Sequence, residues 1–227
     1  NAISCNDGDS CTSNDTCSGG VCSGAVVPGC SVTTTTSITT TTTSTTLPSG
    51  FCANAPSNTC LSARRAMVKL RNNSNSAKNQ FKWKWLKGDQ YSHAQLGEPT
   101  ATDIYAVCLY DSSADIPVLM GTLVITPSSN WSDNNPKGFK YKDRGAIQDG
   151  VQQVKLLPGT INKTKAMIKA KGGNVPMPIP VSNTRYFNQS SEVTVQLSST
   201  SGVCWTSTFT EADTKRNRPS LFSATAR

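Results

Sequence analysis

From residue 51 onward, apolar and polar positions alternate with a period of two in one short stretch after another. Phe81, Trp83 and Trp85 share one parity in QFKWKWLK, with Lys82 and Lys84 on the other, and Tyr105, Val107 and Leu109 follow in IYAVCLY. Further strand-like stretches are VLMGTLVITP, GFKYKD, VQQVKLLP, TKAMIKAKG, EVTVQLSS and VCWTSTF, and Gly, Pro, Asn or Asp stands in nearly every gap between them. Such runs are what half-buried strands require, because successive side chains point to opposite faces of a sheet. No segment keeps a helical period beyond a turn or two. Residues 51–227 are therefore predicted to form an all-β domain, a jelly-roll or Ig-like sandwich of roughly eight to ten strands. The stretch VPMPIPVSN is excluded from a central strand, since each proline removes a ladder donor.

The first fifty residues follow a different pattern. In residues 1–30, CNDGDSCTSNDTCSGGVCSG combines close-set cysteines with Asp-Gly and Gly-Gly turn chemistry. So short a segment cannot bury enough apolar surface to fold unaided, and disulfides are expected to hold it as a microdomain. Residues 31–50 are a low-complexity tract with eleven threonines: Thr33, Thr34, Thr35, Thr36, Thr39, Thr40, Thr41, Thr42, Thr43, Thr45 and Thr46. β-branched runs disfavour helix, and there is almost nothing apolar to bury, so the tract is predicted to be an extended linker. Its clustered hydroxyls are candidates for O-glycosylation, with covalent glycans stiffening the backbone; a bare flexible linker is the alternative. Sequons at Asn14, Asn72, Asn130, Asn162 and Asn188 add little, since Ser and Thr are common enough to produce them by chance.

Nine cysteines in 227 residues imply an oxidising compartment, hence secretion to the cell surface, a filament or the extracellular space. No apolar run approaches the roughly 20 residues of a membrane span. No leader precedes Asn1, which is expected if a signal peptide has been removed or the numbering starts after it. Five cysteines (Cys5, Cys11, Cys17, Cys22, Cys30) fall in residues 1–30. Two bridges there leave one cysteine over; pairing Cys5 with Cys17 and Cys11 with Cys22 is one of many choices and frees Cys30 as an intermolecular thiol. In the body, Cys52 is expected to pair locally with Cys60, and Cys108 with Cys204.

Charge separates along the chain. Residues 1–50 hold Asp7, Asp9 and Asp15 and no Lys or Arg, whereas the remainder holds all 22 basic residues and 11 of the 14 acidic ones, a net +11. An acidic head on a basic body invites contact between molecules, although plain solubility explains it as well.

The first segment is similar to the repeats C-x-D-G-x-x-C-T-x-x-D-x-C-x-x-G-x-C of uncharacterised secreted bacterial proteins; here it reads CNDGDSCTSNDTCSGGVC. The body, with FKWKWLKGD, GEPTATDIYAVCLYD, GFKYKD and a late GVCW, resembles the β-domain that accompanies Thr- or Pro-rich tracts in such proteins. That family usually carries a second cysteine pair before its GFKYKD segment, where this chain has SSNWSDNNPK. The resemblance implies secretion and the order of segments, and no activity.

Chemistry is sparse. The single histidine, His93 in QYSHAQLGEP, has no flanking nucleophile signature, and no carboxylate pair stands in an acid/base motif, so no catalytic residue and no cofactor is expected. The cysteines lack zinc spacing. Asp7, Asp9 and Asp15 are weak calcium candidates in a glycine-containing loop, although the calcium-loop pattern is absent and turn formation explains them equally. Alternating Lys82 and Lys84 do not imply nucleic acid, because any amphipathic strand alternates; an acidic polysaccharide suits a secreted basic protein better. A sugar-binding platform would expose some of Trp83, Trp85, Trp131, Tyr141 and Trp205, whereas a core would bury them, and Trp131 in the loop SSNWSDNN is the best exposed candidate.

Reach supplies a functional expectation. A 177-residue globule is about 40 Å across, and twenty extended residues cover about 60 Å. The arm could cross a neighbouring body and dock head-to-tail, and such contacts give filaments unless they close as rings. The sequence therefore points to the subunit of an extracellular, glycosylated, self-assembling homopolymer, with a secreted adhesin or carbohydrate-binding module as the alternative.

Overall fold

A computed structural model describes residues 3–4, 12–18, 21–26 and 51–227. The chain divides into two units, Asn1–Leu47 and Pro48–Arg227. In the first, strands β1 (Ile3–Ser4), β2 (Thr12–Ser18) and β3 (Val21–Val26) form an antiparallel sheet in that order. The register sets Cys17 opposite Ile3 on one side and opposite Cys22 on the other. Asp15 lies within β2. Cys5, Cys11, Cys30, Asp7, Asp9 and the threonines from Thr33 to Thr46 lie outside the described residues, as do the bridges expected of the first segment.

The second unit is an all-β sandwich. Its strands are β4 (Ala63–Arg71), β5 (Gln80–Gly88), β6 (Tyr105–Ser113), β7 (Ile116–Ile125), β8 (Trp131–Asp133), β9 (Phe139–Lys142), β10 (Val151–Leu157), β11 (Thr164–Lys171), β12 (Glu192–Ser199), β13 (Cys204–Thr210), β14 (Thr214–Arg218) and β15 (Leu221–Ala226). Twelve strands exceed the expected eight to ten because β8 and β9 are short and β14 and β15 form a closing hairpin. All pairings between these strands are antiparallel, in an eight-stranded sheet ordered β14-β15-β4-β5-β11-β10-β9-β8 and a four-stranded sheet ordered β13-β12-β6-β7. The proline-rich stretch after β11 forms no strand, as its missing donors require.

The sequence parity sets the core. Ala66, Val68 and Leu70 of β4, Phe81, Trp83 and Trp85 of β5, and Ala166, Ile168 and Ala170 of β11 face inward. They meet Val193, Val195, Leu197, Trp205 and Phe209 of the small sheet. Two indoles also tie the sheets together by hydrogen bonds: Trp83 Nε1 donates to Ser207 Oγ at 3.1 Å, and Trp85 Nε1 to the Thr206 carbonyl at 3.1 Å. At Gly88 a Cβ would lie 1.9 Å from the Trp85 ring, so the strand can end under the indole only as glycine.

β6 is buried on both faces through Ser112. Its outer face is covered by residues 51–61, which cross the small sheet as a strap. Tyr110 donates to the Ala53 carbonyl at 2.9 Å, and the Gln196 amide accepts from Ser57 N at 3.0 Å and donates back to the Ser57 carbonyl at 2.6 Å. Leu61 then makes a parallel bridge to Trp205.

Disulfides fix the strap at both ends: Cys52 to Cys108 on β6, and Cys60 to Cys204 on β13. This replaces the expected pairs Cys52–Cys60 and Cys108–Cys204. β12 separates β6 from β13, with Gln196 opposite Cys108 and Ser198 opposite Cys204, so the two cysteines stand two strand spacings and two residues apart, about 12 Å, beyond disulfide reach. The extended strap carries Cys52 and Cys60 to different strands instead.

Candidate functional site

The outward parity of the eight-stranded sheet carries the protein's charge. Lys69, Lys82 and Lys169 are register partners across β4, β5 and β11, and the row continues through Gln153 of β10 to Lys142 of β9. One step along the strands, Met67, Lys84, Met167, Lys155 and Lys140 form a second row. A third joins Arg65, Leu86 and Lys165, and a fourth joins Arg71, Gln80 and Lys171. Eleven cations thus share one face of five strands, their rows interrupted by Gln153, Met67, Met167, Leu86 and Gln80, with neighbouring strands about 4.8 Å apart and successive rows about 6.8 Å apart.

No Asp or Glu occurs in β4, β5, β9, β10, β11, β14 or β15. The sheet's one carboxylate is Asp133 at the end of β8, and it is occupied: Oδ1 lies 2.7 Å from His93 Nε2 and accepts from Asn135 N at 2.8 Å. Like charges directly opposite one another destabilise a sheet, so this face is electrostatically unfavourable unless an external anion covers it.

The acidic residues lie elsewhere, and loop conformation explains where. Asp89 accepts from Ser62 N and Oγ at 2.7 and 2.9 Å. Asp143 accepts from the amides of Gly145 and Ile147, both at 2.8 Å, and Asp149 from Val124 N at 2.7 Å. Asp103 accepts from Glu98 N at 2.7 Å and from the hydroxyls of Thr200 and Thr102 at 2.8 and 3.2 Å. Burial pushes the Asp103 carboxyl up, but those three donors together outweigh it and hold the group below the usual carboxylate range. Among the described residues a single Lys or Arg pairs with a carboxylate within 4.0 Å, Arg185 with Glu211 at 3.3 Å, and that pair is exposed.

The aromatic platform considered from sequence does not form. Trp83, Trp85, Tyr141 and Trp205 are fully buried, and Trp131, expected as the exposed one, is only 4% exposed. It packs on Tyr105 and Tyr141 with ring centroids 5.4 and 5.2 Å apart. The reason is local: SSNWSDNN is not a free loop, because β8 begins at Trp131 and pairs it with Tyr141.

His93 precedes a short 3-10 turn, Ala94–Leu96, and stacks on Phe139 at 4.8 Å beside a groove lined by Tyr91, Ser92, Pro136 and Gly159. The neighbouring Ser92 hydroxyl bonds to Gln95 Oε1 at 3.1 Å. The histidine is thus oriented by Asp133 without a hydroxyl partner. Among the described residues no three His, Cys, Asp or Glu side chains gather as a metal site, and no helix is long and apolar enough to cross a membrane.

Sequence reading missed the carboxylate-free face. The signal was present, since the stretches later found as β4, β5, β9, β10 and β11 hold Lys or Arg and no acid, but only strand order aligns them into one field. No protein-family model matches the chain, and neither a curated protein nor a solved structure matches it. The described body is defined by its fold and site: a disulfide-bonded all-β sandwich with one uncompensated basic sheet face.

Proposed function

We propose that the protein is a secreted module that adheres through its large sheet to an acidic polysaccharide, with the Thr-rich tract as its spacer. The observation that carries this reading is the eleven outward cations with no carboxylate on their five strands. An extended array of cations suits a linear polymer with repeated negative charge better than a small ligand, because many weak, screened contacts must act together. Two disulfides in the body favour an oxidising compartment, where acidic polysaccharides are abundant. The basic face also lacks the exposed aromatic rings on which single-stranded bases stack.

A second reading keeps the filament subunit, and the strap favours it. Tension on the chain before Phe51 would reach β6 and β13 through two covalent bridges. That is an anchor suited to a pulled tether. The arm's three carboxylates, however, are few against eleven cations, so docking of the acidic head on a neighbour would leave most of the face uncovered.

Binding of the purified full chain to polygalacturonate and to neutral dextran, in 50 and 200 mM salt, tests the proposal. Polygalacturonate should bind and weaken steeply with salt, and dextran should not bind. Equal retention on both polymers would overturn the reading. Electron microscopy of the same sample, with regular fibres forming in the absence of any polymer, would move the conclusion to the filament.

A further inference from the structure

The charged face does not end with the sheet. β4 and β5 run beyond the edge of the core: Ala63 pairs with Gly88 and Arg65 with Leu86, which leaves Arg64 and Lys87 at the position between. Arg64 has the parity of Ala66, the inward one, while Lys87 is the extra residue of a β-bulge, where the β5–β11 register shifts between Thr164–Gly88 and Lys165–Leu86; both are exposed. Lys163 enters from the β10–β11 connection, and Arg227 follows β15. With Arg65, Ile161 and Asn162 they line a cleft of about 840 Å³ that contains no Asp or Glu side chain.

The bulge puts a non-glycine residue into left-handed backbone. Lys87 has φ 56° and Asn162 φ 66°, both left-handed, and the two segments are joined by a hydrogen bond from Asn162 N to the Gly88 carbonyl at 2.8 Å. Asparagine tolerates that conformation, and glycine prefers it, but lysine is disfavoured there. The Trp85 ring explains why residue 88 must be glycine. It does not explain a lysine at residue 87. Non-glycine residues held in this region cluster at binding sites, where the side chain matters more than the local cost.

We propose that this cleft is a subsite for a tetrahedral oxyanion ester, a sulfate or phosphate monoester borne by the polysaccharide; the inference rests on the adhesion reading above. Cations reach the cleft from four chain segments: β4, β5, the β10–β11 connection and the residue after β15. A carboxylate offers two oxygens in one plane, whereas a monoester of sulfate or phosphate offers three terminal oxygens to donors on several sides. Arginine forks match such groups in paired hydrogen bonds, and a lysine supplies a point charge. Ile161, 61% exposed, gives the cleft an apolar rim against which a sugar ring can lie. The basic face holds the polymer through general charge, and the cleft selects its substituent.

The test uses the full chain with dextran sulfate, a phosphorylated mannan, polygalacturonate and single-stranded DNA at one salt concentration. Wild type should prefer dextran sulfate or phosphomannan over polygalacturonate by about tenfold, a difference of about 1.4 kcal/mol. The stronger of the two identifies the substituent. Lys87→Gly relieves the backbone strain, so it should keep or raise Tm while cutting that preference below about twofold; Lys82→Gln/Lys84→Gln should weaken all the polymers together. Arg185→Gln, on the exposed pair with Glu211, serves as the control. Polyanion binding without a wild-type preference, or a preference intact in Lys87→Gly, overturns the subsite and leaves the adhesion reading standing. No salt-sensitive binding to any polyanion overturns both. DNA bound more tightly than every polysaccharide overturns the assigned ligand class.

Discussion

Lys69 and Lys82 are direct register partners across β4 and β5, and Lys169 flanks Lys82 on its other side. Three ammonium-bearing side chains therefore stand in adjacent strands with no acid on any of those strands. Replacing the middle one should relieve repulsion. Lys82→Gln is expected to stabilise the unliganded protein by about 0.2–1 kcal/mol at low salt, on the scale of cross-strand pairs, with the gain shrinking at high salt. Thermal denaturation at 20 and 500 mM salt measures it, and a variant less stable at low salt than wild type would refute the like-charge account.

The strap depends on its two bridges. Their sequence separations are 56 and 144 residues, and the chain-entropy relation gives upper estimates of about 4 and about 5 kcal/mol. Cys60→Ser/Cys204→Ser should accordingly lower the urea midpoint more than Cys52→Ser/Cys108→Ser does. Both should expose residues 51–61 to protease. Unfolding curves that coincide with and without reductant would show that the bridges contribute nothing.

Gly88→Ala places a methyl group inside the space of the Trp85 indole, with the nearest ring atom 1.9 Å from its Cβ. The ring must move, and its hydrogen bond to the Thr206 carbonyl moves with it. A cost of about 1–3 kcal/mol or more is expected from overpacking. Tryptophan fluorescence and Tm should both change; an unaltered emission maximum with native Tm would contradict the close approach.

Asp103 gives the stability an acid limb. Its folded carboxyl titrates below its unfolded value, so its contribution is full above the unfolded pKa of about 4 and is lost as pH falls through the lower folded value. Asp103→Asn should therefore be less stable than wild type at pH 6, and the gap should narrow by pH 2. Because the group lies near the surface, the effect is modest. A gap that stays constant from pH 6 to pH 2 would count against the assignment.

Much of the sandwich could be read from local pattern. The alternation of Phe81, Trp83 and Trp85 against Lys82 and Lys84 gives a half-buried strand whatever lies beside it, and the same holds for the stretches around Val154 and Ile168. The buried position of Trp131 was not legible, because a three-residue strand has too few positions to show a period and is recognised by its pairing with Tyr141. The disulfide partners were misread for a related reason. Cys52 and Cys60 are near each other in sequence, but proximity along the chain says nothing about how an extended strap crosses a sheet.

The order of residues alone determined which side chains of a strand share a face and which carry charge, since side-chain parity is a property of the extended backbone itself. It also determined that cysteines are abundant, that acids are missing from the basic strands, and that proline keeps residues 176–180 out of a sheet. Tertiary structure decided which strands are neighbours. Only that order sets lysines of different strands side by side at about 4.8 Å, places β12 between Cys108 and Cys204, and brings Lys163 to Arg64 and Lys87. Pairing between distant strands is fixed by the burial of the whole core, and no short window of sequence contains that information.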